Sequence, residues 1–220
     1  MTFDPDETTR RVRTRSVQGG HQRGDGDVWP LVQPIVSSTV YASHDPFMVA
    51  SRVAAGEPTY NRDQFPNPRL LGDLVAELEG ADRGYATASG MAAITAVAMA
   101  LLSQGDHLVL AAGGYSDTEE LLTRELPRLG IASTVVDPND LDAVRAAMRP
   151  ETRILLAETI ANPAITVADI PALADIAHAS DAVLAIDNTF ATPLLCQPLA
   201  LGADLVIHSA TKFLGGHHDL

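Results

Sequence analysis

The chain has 220 residues, and 46% of them are hydrophobic, which is enough to bury the core of one large domain. Its formal charge of −13 disfavours nucleic acids and anionic membranes as partners. The single cysteine, Cys196, excludes an intrachain disulfide and favours a reducing, cytoplasmic location. The sequence contains no apolar run long enough to span a membrane, and its N-terminus lacks the apolar stretch of a secretory signal.

The first 60 residues are predicted to form an N-terminal arm followed by an extended segment. Residues 1 to about 30 are polar and rich in glycine, without helical or strand period. Residues 31–41 contain many β-branched residues, but Pro34 disfavours a central strand. Residues 61–220 are predicted to form one α/β domain that is incomplete at its C-terminus.

Apolar runs and amphipathic stretches alternate through this second region. The first predicted helix has Asn67 as its N-cap and Pro68 as its first residue, and it ends at Gly80. The predicted strands are 108–111, 131–136, 153–157, 183–186 and 205–207. The helices predicted between them run from Ser89 to about 103, over 119–129 and 139–148, and from Asp169 to about 179. This alternation predicts a mostly parallel sheet with helices on both faces.

Chemically active residues follow the last two predicted strands. Asp187 follows strand 183–186, and strand 205–207 leads into His208-Ser209-Ala210-Thr211-Lys212. In open α/β sheets, ligands bind at the carboxyl ends of the strands. A lysine amine forms an imine with an aldehyde, hydroxyls hold a phosphate, and a carboxylate pairs with a protonated ring nitrogen. Pyridoxal 5'-phosphate (PLP) needs these groups.

A second candidate anion site lies at the start of the helix that follows Ser89. Ser89-Gly90-Met91 places unpaired backbone N–H groups at a helix N-terminus, where they attract phosphate. Many structural helices also begin with Ser-Gly, so this motif alone leaves a purely structural role open.

Two longer motifs resemble the signature of the cystathionine γ-synthase and γ-lyase family of sulfur amino-acid enzymes. They are DNTFATP, starting at Asp187, and HSATKFLGGH, starting at His208. SGMAA, starting at Ser89, resembles the phosphate loop of that family, and Tyr60-Asn61-Arg62 resembles its Tyr-x-Arg motif. The resemblance implies the aspartate-aminotransferase-like large domain, which is PLP fold type I.

The resemblance also implies a role for individual residues. Lys212 would hold PLP and exchange protons, with burial favouring its neutral amine. Asp187 would keep the ring nitrogen protonated, and Tyr115 would stack on the ring and help proton movement with its hydroxyl. The other implied cofactor contacts are Asn162 to the ring oxygen, Gly90, Met91, Ser209 and Thr211 to the phosphate, and Tyr60 and Arg62 to the phosphate of an adjacent subunit. Shared sites imply a homo-oligomer, a dimer of dimers.

Three segments depart from the family pattern. The loop after Arg62 is longer, Ser116 and Asp117 stand where glycines are usual, and Ile160 replaces a proline. Asp117 adds a carboxylate near the expected substrate pocket, which leaves the identity of the amino-acid substrate open. His217 and His218 are adjacent and would point in different directions, so no metal site is expected.

The implied activity is γ-replacement or γ-elimination on homoserine esters, cystathionine or methionine-type substrates, as in transsulfuration. Family members continue well beyond residue 220, so we expect a fragment without the C-terminal domain and its arginine for the substrate carboxylate. Two alternatives remain. One is a remnant that keeps part of the fold without catalysis, and the other is a different enzyme of the same fold, such as an aminotransferase.

Overall fold

The structure is a computed structural model that describes residues 16, 32–43, 45–55, 57, 59–60, 62 and 65–218. Apart from Ser16, the predicted polar arm at residues 1 to about 30 lies outside the described residues. The chain divides into two compact units, and the boundary lies between Ala86 and Thr87. No helix in the described ranges is both long and apolar enough to cross a membrane.

The described residues of the first unit include two α-helices with defined bounds and an extended segment. The helices are α1 (Val49–Ala54), which follows a 3-10 turn at Pro46–Met48, and α2 (Pro66–Glu79). The predicted N-cap at Asn67 is wrong, because α2 begins at Pro66. The Asn67 side chain instead binds the extended segment: it accepts a hydrogen bond from Val36 N–H (2.9 Å) and donates one to the Pro34 carbonyl (3.0 Å). The predicted helix end at Gly80 is confirmed, and this glycine has a φ of 75°.

The second unit alternates helices and strands, as predicted. In chain order its elements are α3 (Gly90–Leu101), β1 (His107–Ala111), α4 (Ser116–Glu120), β2 (Ala132–Val136), α5 (Leu141–Ala147), β3 (Thr152–Glu158), α6 (Ile170–Ala179), β4 (Val183–Asp187), α7 (Thr192–Leu195) and β5 (Leu205–Ile207). A π-helical segment, Leu121–Glu125, and a 3-10 turn, Leu126–Leu129, continue α4, and a second 3-10 turn, Pro198–Leu201, precedes β5.

The five strands form one parallel sheet in the order β2-β1-β3-β4-β5. Apolar clusters cover both faces: α5 and α6 contribute Val144 and Leu173 to one, and α3 and the π-helical segment contribute Ile94 and Leu122 to the other. This confirms the predicted α/β fold. The strand order reverses between β1 and β3, and in such sheets the reversal opens a crevice beyond the carboxyl ends of the strands.

His107 is buried at the opposite end of β1, where it joins β1 to its neighbours. Its Nδ1 lies 2.8 Å from Thr152 Oγ1, and its Nε2 lies 2.9 Å from Thr134 Oγ1. The Arg149 N–H donates to Thr152 Oγ1, so this hydroxyl can direct its own proton to Nδ1. The Arg149 guanidinium donates to Thr134 Oγ1 at 3.1 Å in the same way, so both hydroxyls can bond to the neutral imidazole. Burial lowers the pKa of His107, the charge of Arg149 lowers it further, and Glu151 opposes them.

Stability is therefore expected to fall when the pH drops below about 6.5, the ordinary pKa of histidine. The folded state resists protonation of His107 while the unfolded chain accepts it, so the contribution is complete above the unfolded pKa and is lost as the pH falls. Thermal unfolding of the wild type and of His107→Gln between pH 7.5 and 5 measures this. The variant should be less stable at pH 7.5 and should lose less stability on acidification. Equal pH slopes would rule out this role of His107.

Candidate active site

The crevice beyond β1 and β3 carries several of the residues that the sequence predicted for the site. Tyr115, Glu158 and Asp187 line one cavity there, together with apolar side chains from α3, β1 and β3. Glu158 is the last residue of β3 and stands in register with Asp187, the last residue of β4. The parallel sheet therefore places both carboxylates at the same edge.

Asp187 is connected to the segment after β5 through Thr189. The N–H and the hydroxyl of Thr189 both donate to Asp187 Oδ1, and the Ser209 N–H donates to the Thr189 oxygen at 2.8 Å. This chain orients the Asp187 carboxylate and joins the DNTF and HSATK motifs. Sequence reasoning quoted Thr189 within its motif but assigned it no role.

Burial raises the pKa of Asp187 above its ordinary range. The two hydrogen bonds from Thr189 lower that pKa, and so does the charge interaction with His208. A buried carboxylate of this kind gains most from a cationic partner, since a nearby positive charge favours its ionised form. The N–H⁺ of a pyridinium ring is such a partner.

The N-terminus of α3 lies against Ser209. A Cβ atom built on Gly90 would lie 2.7 Å from the Cβ and 3.0 Å from the Oγ of Ser209, so only glycine allows this approach. The Ser89 side chain caps the helix by accepting from the Ala92 N–H. By helix geometry, the N–H groups of Gly90 and Met91 have no carbonyl partner within the helix. Two elements predicted to bind phosphate are thus adjacent, although they are more than 100 residues apart in sequence.

Tyr115 is the N-cap residue of α4, and its side chain is 44% exposed. Its hydroxyl donates to Asp117 Oδ2 at 2.8 Å, and this hydrogen bond raises the pKa of the phenol. Asp117, one of the departures from the family pattern, therefore binds Tyr115 directly. Helices α3 and α4 also meet next to this residue, where the Thr118 hydroxyl lies 3.7 Å from the sulfur of Met91.

Asn162 follows β3 and is tied to it by Glu158. The Asn162 N–H donates to Glu158 Oε2 at 3.0 Å, and the Tyr115 N–H donates to Oε1 of the same carboxylate at 2.6 Å. Sequence reasoning gave Glu158 no role. The available signal was its position, since an acidic residue ends the apolar run of β3 as Asp187 ends that of β4.

Lys212 lies in the turn that follows β5, and Thr211 precedes it. The Lys212 N–H donates to the Ser209 carbonyl at 3.3 Å. The next residue, Phe213, packs edge-on against Phe190, with their ring centroids 5.6 Å apart. This contact anchors the lysine turn to the loop that follows Asp187.

The expected burial of Lys212 is wrong for the described chain, in which this side chain is exposed. Thr211 and Phe213 on either side of it are also exposed, and the ring contact with Phe190 involves Phe213 rather than the lysine. Lys212 is also the only lysine among the 220 residues. No other side chain of this sequence offers a primary amine.

Tyr60 and Arg62 belong to the first unit, and both are exposed. The guanidinium carbon of Arg62 lies 5.2 Å from the centre of the Tyr60 ring, a cation–π arrangement. Their predicted contact with the phosphate of an adjacent subunit stays a prediction.

The family model for Cys/Met metabolism PLP-dependent enzymes matches residues 13–220. The chain belongs to this family. The match confirms the resemblance seen in the DNTFATP and HSATKFLGGH motifs. PLP is the cofactor of this family.

Individual relatives agree with this membership. The chain is 48% identical over 213 residues to cystathionine gamma-lyase of Bacillus subtilis, covering 96% of this chain and 53% of that protein. It is 40% identical over 212 residues to cystathionine beta-lyase of Lactococcus lactis, covering 95% and 53%. The chain thus spans about half the length of the curated relatives it matches.

A solved structure from Campylobacter jejuni shares this fold with a TM-score of 0.86 and 31% identity, covering 94% of this chain and 51% of that one. It contains N'-pyridoxyl-lysine-5'-monophosphate, which is a lysine joined to the cofactor. The likeness confirms the predicted fold type.

The residues of this structure fit PLP. Because Gly90 packs directly on Ser209, the N-terminal N–H groups of α3 lie beside the Ser209 hydroxyl, and this set of donors suits a phosphate. Asp187 is a buried carboxylate suited to a ring nitrogen, and Lys212 supplies the amine. The donors and the acid lie around one sheet edge.

Proposed function

We propose that the full-length protein is a PLP-dependent enzyme that cleaves cystathionine, with γ-elimination as its leading reaction. The observation that carries this proposal is that Gly90, Ser209 and Asp187 lie together at the carboxyl ends of the strands. The segment that holds Ser209 continues into Lys212, the only lysine of residues 1–220. Relatives named cystathionine gamma-lyase and beta-lyase support the substrate. γ-Replacement on homoserine esters, a transferase reaction, is the second candidate, because the motifs resemble γ-synthases equally.

When bound, PLP supplies an electron sink for the pair released at the substrate Cα. Lys212 would hold the cofactor through its amine, and the same amine would serve as the base for the proton on the substrate Cα. The same amine can pass protons at Cβ as the substituent on Cγ leaves. Asp187 holds the proton on the ring nitrogen, which keeps the ring electron-poor.

The remaining predicted contacts position the cofactor. Tyr115 covers the ring, and Asn162 donates to the ring oxygen without adding charge. The N–H groups of Gly90 and Met91, with the hydroxyls of Ser209 and Thr211, hold the phosphate. Tyr60 and Arg62 complete the phosphate site from a neighbouring subunit, so the protein acts as a homo-oligomer, a dimer of dimers.

The proposal also covers the cellular location of the protein and the division of the chain into an arm and a domain. The acidic composition and the single cysteine support a cytoplasmic enzyme of transsulfuration. Residues 1–60 serve as an arm that reaches a neighbouring subunit, and residues 61–220 belong to the PLP-binding domain.

Product analysis with the full-length protein and PLP tests the proposed function. Cystathionine is expected to give 2-oxobutyrate, cysteine and ammonia by γ-elimination. Pyruvate and homocysteine would show β-elimination instead. Release of acetate or succinate from a homoserine ester, with incorporation of a thiol, would show γ-replacement.

Two outcomes would contradict the proposal. An amino acid converted to its oxo acid by exchange of the amino group, without release of a thiol, would indicate an aminotransferase. Failure to convert any of these substrates, although the protein is folded and saturated with PLP, would favour the non-catalytic remnant.

A further inference from the structure

Glu158 occupies a central position among the predicted cofactor contacts. It ends β3 directly beside Asp187, and it lines the same cavity as Asp187 and Tyr115. None of the predicted cofactor contacts uses its side chain. Its two oxygens are nevertheless both engaged.

Each oxygen of Glu158 holds a different loop. Oε1 accepts from the Tyr115 N–H, 43 residues away in sequence, at 2.6 Å, and Oε2 accepts from the Asn162 N–H at 3.0 Å. These two residues are the ones predicted to stack on the cofactor ring and to contact its oxygen. One side chain therefore joins the backbones of both.

The fit around this carboxylate is close. A Cβ atom built on Gly114, the residue before Tyr115, would lie 2.8 Å from Glu158 Cδ. The Tyr115 backbone can approach Glu158 only because residue 114 has no side chain. An ionised carboxylate is also the group that accepts at both oxygens, whereas the glutamine amide accepts at one and donates at the other.

We infer that Glu158 is a positioning residue, whose carboxylate clamps the Tyr115 and Asn162 loops together and so sets where these two side chains meet the cofactor ring. This inference rests on the proposed function for its cofactor-binding part only. The clamp itself is a property of the folded chain without ligand.

The electrostatic surroundings agree with a clamp that depends on hydrogen bonds. Burial raises the pKa of Glu158, and so does the charge of Asp187. The bonds from the Tyr115 and Asn162 N–H groups lower that pKa, so they favour the ionised form that accepts at both oxygens. Loss of either loop contact would leave a partly buried carboxylate without compensation.

Hydrogen exchange of the full-length protein, measured without added PLP, tests the clamp. In Glu158→Gln, at least one of the backbone amides of Tyr115 and Asn162 is expected to exchange roughly tenfold faster or more, because the glutamine side chain accepts at one atom only. Amides of β1 and β3 should keep their protection, which shows that the fold is intact. Glu120→Gln is the matched control, since it removes the same charge from an exposed side chain that does not line this cavity.

A second measurement adds the cofactor. With PLP, Glu158→Gln is expected to bind roughly tenfold more weakly than the wild type, and the visible circular dichroism of the bound cofactor should change. Glu120→Gln should match the wild type in both. Glu158→Asp keeps the charge but shortens the side chain, and it is expected to speed exchange at one of the two amides at least.

The outcomes are distinguishable. Faster exchange at one or both amides in Glu158→Gln but not in Glu120→Gln, with weaker PLP binding, supports the inference. Unchanged exchange in both Glu158 variants, or an equal effect of Glu120→Gln, overturns it. If the wild type binds no PLP, the proposed function fails and Glu158 positions no cofactor contact, while faster exchange would still uphold the loop clamp.

Discussion

Replacement of Lys212 by alanine is expected to abolish covalent attachment of PLP and to lower turnover by roughly 10³-fold or more in the full-length protein. The physical reason is that residues 1–220 contain no second lysine amine to take over the bond or the proton transfer. Borohydride reduction of the holoenzyme followed by peptide mass spectrometry measures attachment directly. In this part of the protein, only Lys212 and the N-terminal amine can carry a reduced adduct.

Lys212→Arg is the matched control for charge. It keeps a cation in the turn after β5 but has no nucleophilic amine at neutral pH. Both variants should lose the adduct, while non-covalent binding of PLP through the phosphate contacts persists. A full yield of adduct in Lys212→Ala would contradict the assignment of the reactive lysine.

Asp187→Asn is expected to have opposite effects on activity and on the stability of the cofactor-free protein. Turnover should fall by about 100-fold or more, because the neutral amide no longer holds a proton on the ring nitrogen. Without PLP, however, the variant should melt at a higher temperature than the wild type near pH 7. The amide can still accept both hydrogen bonds from Thr189, so the local geometry is retained.

The predicted stabilisation follows from the raised pKa of Asp187. The folded state binds this proton more tightly than the unfolded chain does. The protonated carboxyl therefore contributes stability below the unfolded pKa of about 4, and this contribution is lost as the pH rises through the folded pKa. The difference between the variant and the wild type should accordingly be largest near neutral pH and should shrink toward pH 4.

The exposed Asp142 provides the control for this experiment. Asp142→Asn removes the same charge from a side chain that is 96% exposed, so it should change neither the turnover nor the pH dependence of melting. A lower stability of Asp187→Asn than of the wild type at pH 7 without PLP would contradict this prediction. It would mean that interactions of the ionised carboxylate outweigh the cost of burying its charge.

The strands could be located from the sequence because each is a short apolar run bounded by polar residues. The strand predicted at 205–207 is observed over those residues, and the one predicted at 183–186 is one residue longer and ends at Asp187. A strand of a parallel sheet that is covered on both faces appears in the sequence as a nearly continuous apolar run, so the run itself locates the strand. The prediction of Asn67 as a helix cap was wrong because its side chain makes a tertiary contact with the segment at 34–36. Local sequence preference does not report such contacts.

The clamp at Glu158 and the link through Thr189 could not be predicted from spacing. The Tyr115–Glu158 bond joins residues 43 apart, and the Thr189–Ser209 bond joins residues 20 apart. Both depend on the strand order, which places the end of β3 beside the end of β1 and the end of β4 beside the end of β5. A sequence pattern lists which residues end the strands, but it does not say which strands are neighbours.

By itself, the sequence determined the family, the fold type and the family's cofactor, and it predicted the acid and the lysine, because these depend on residue types within contiguous motifs. Only the tertiary structure decided how Gly90 meets Ser209, how one carboxylate holds two loops, and that Lys212 is exposed in the described chain. These features depend on distances between segments remote in sequence, and such distances are set when the strands pair and the two apolar faces of the sheet are covered.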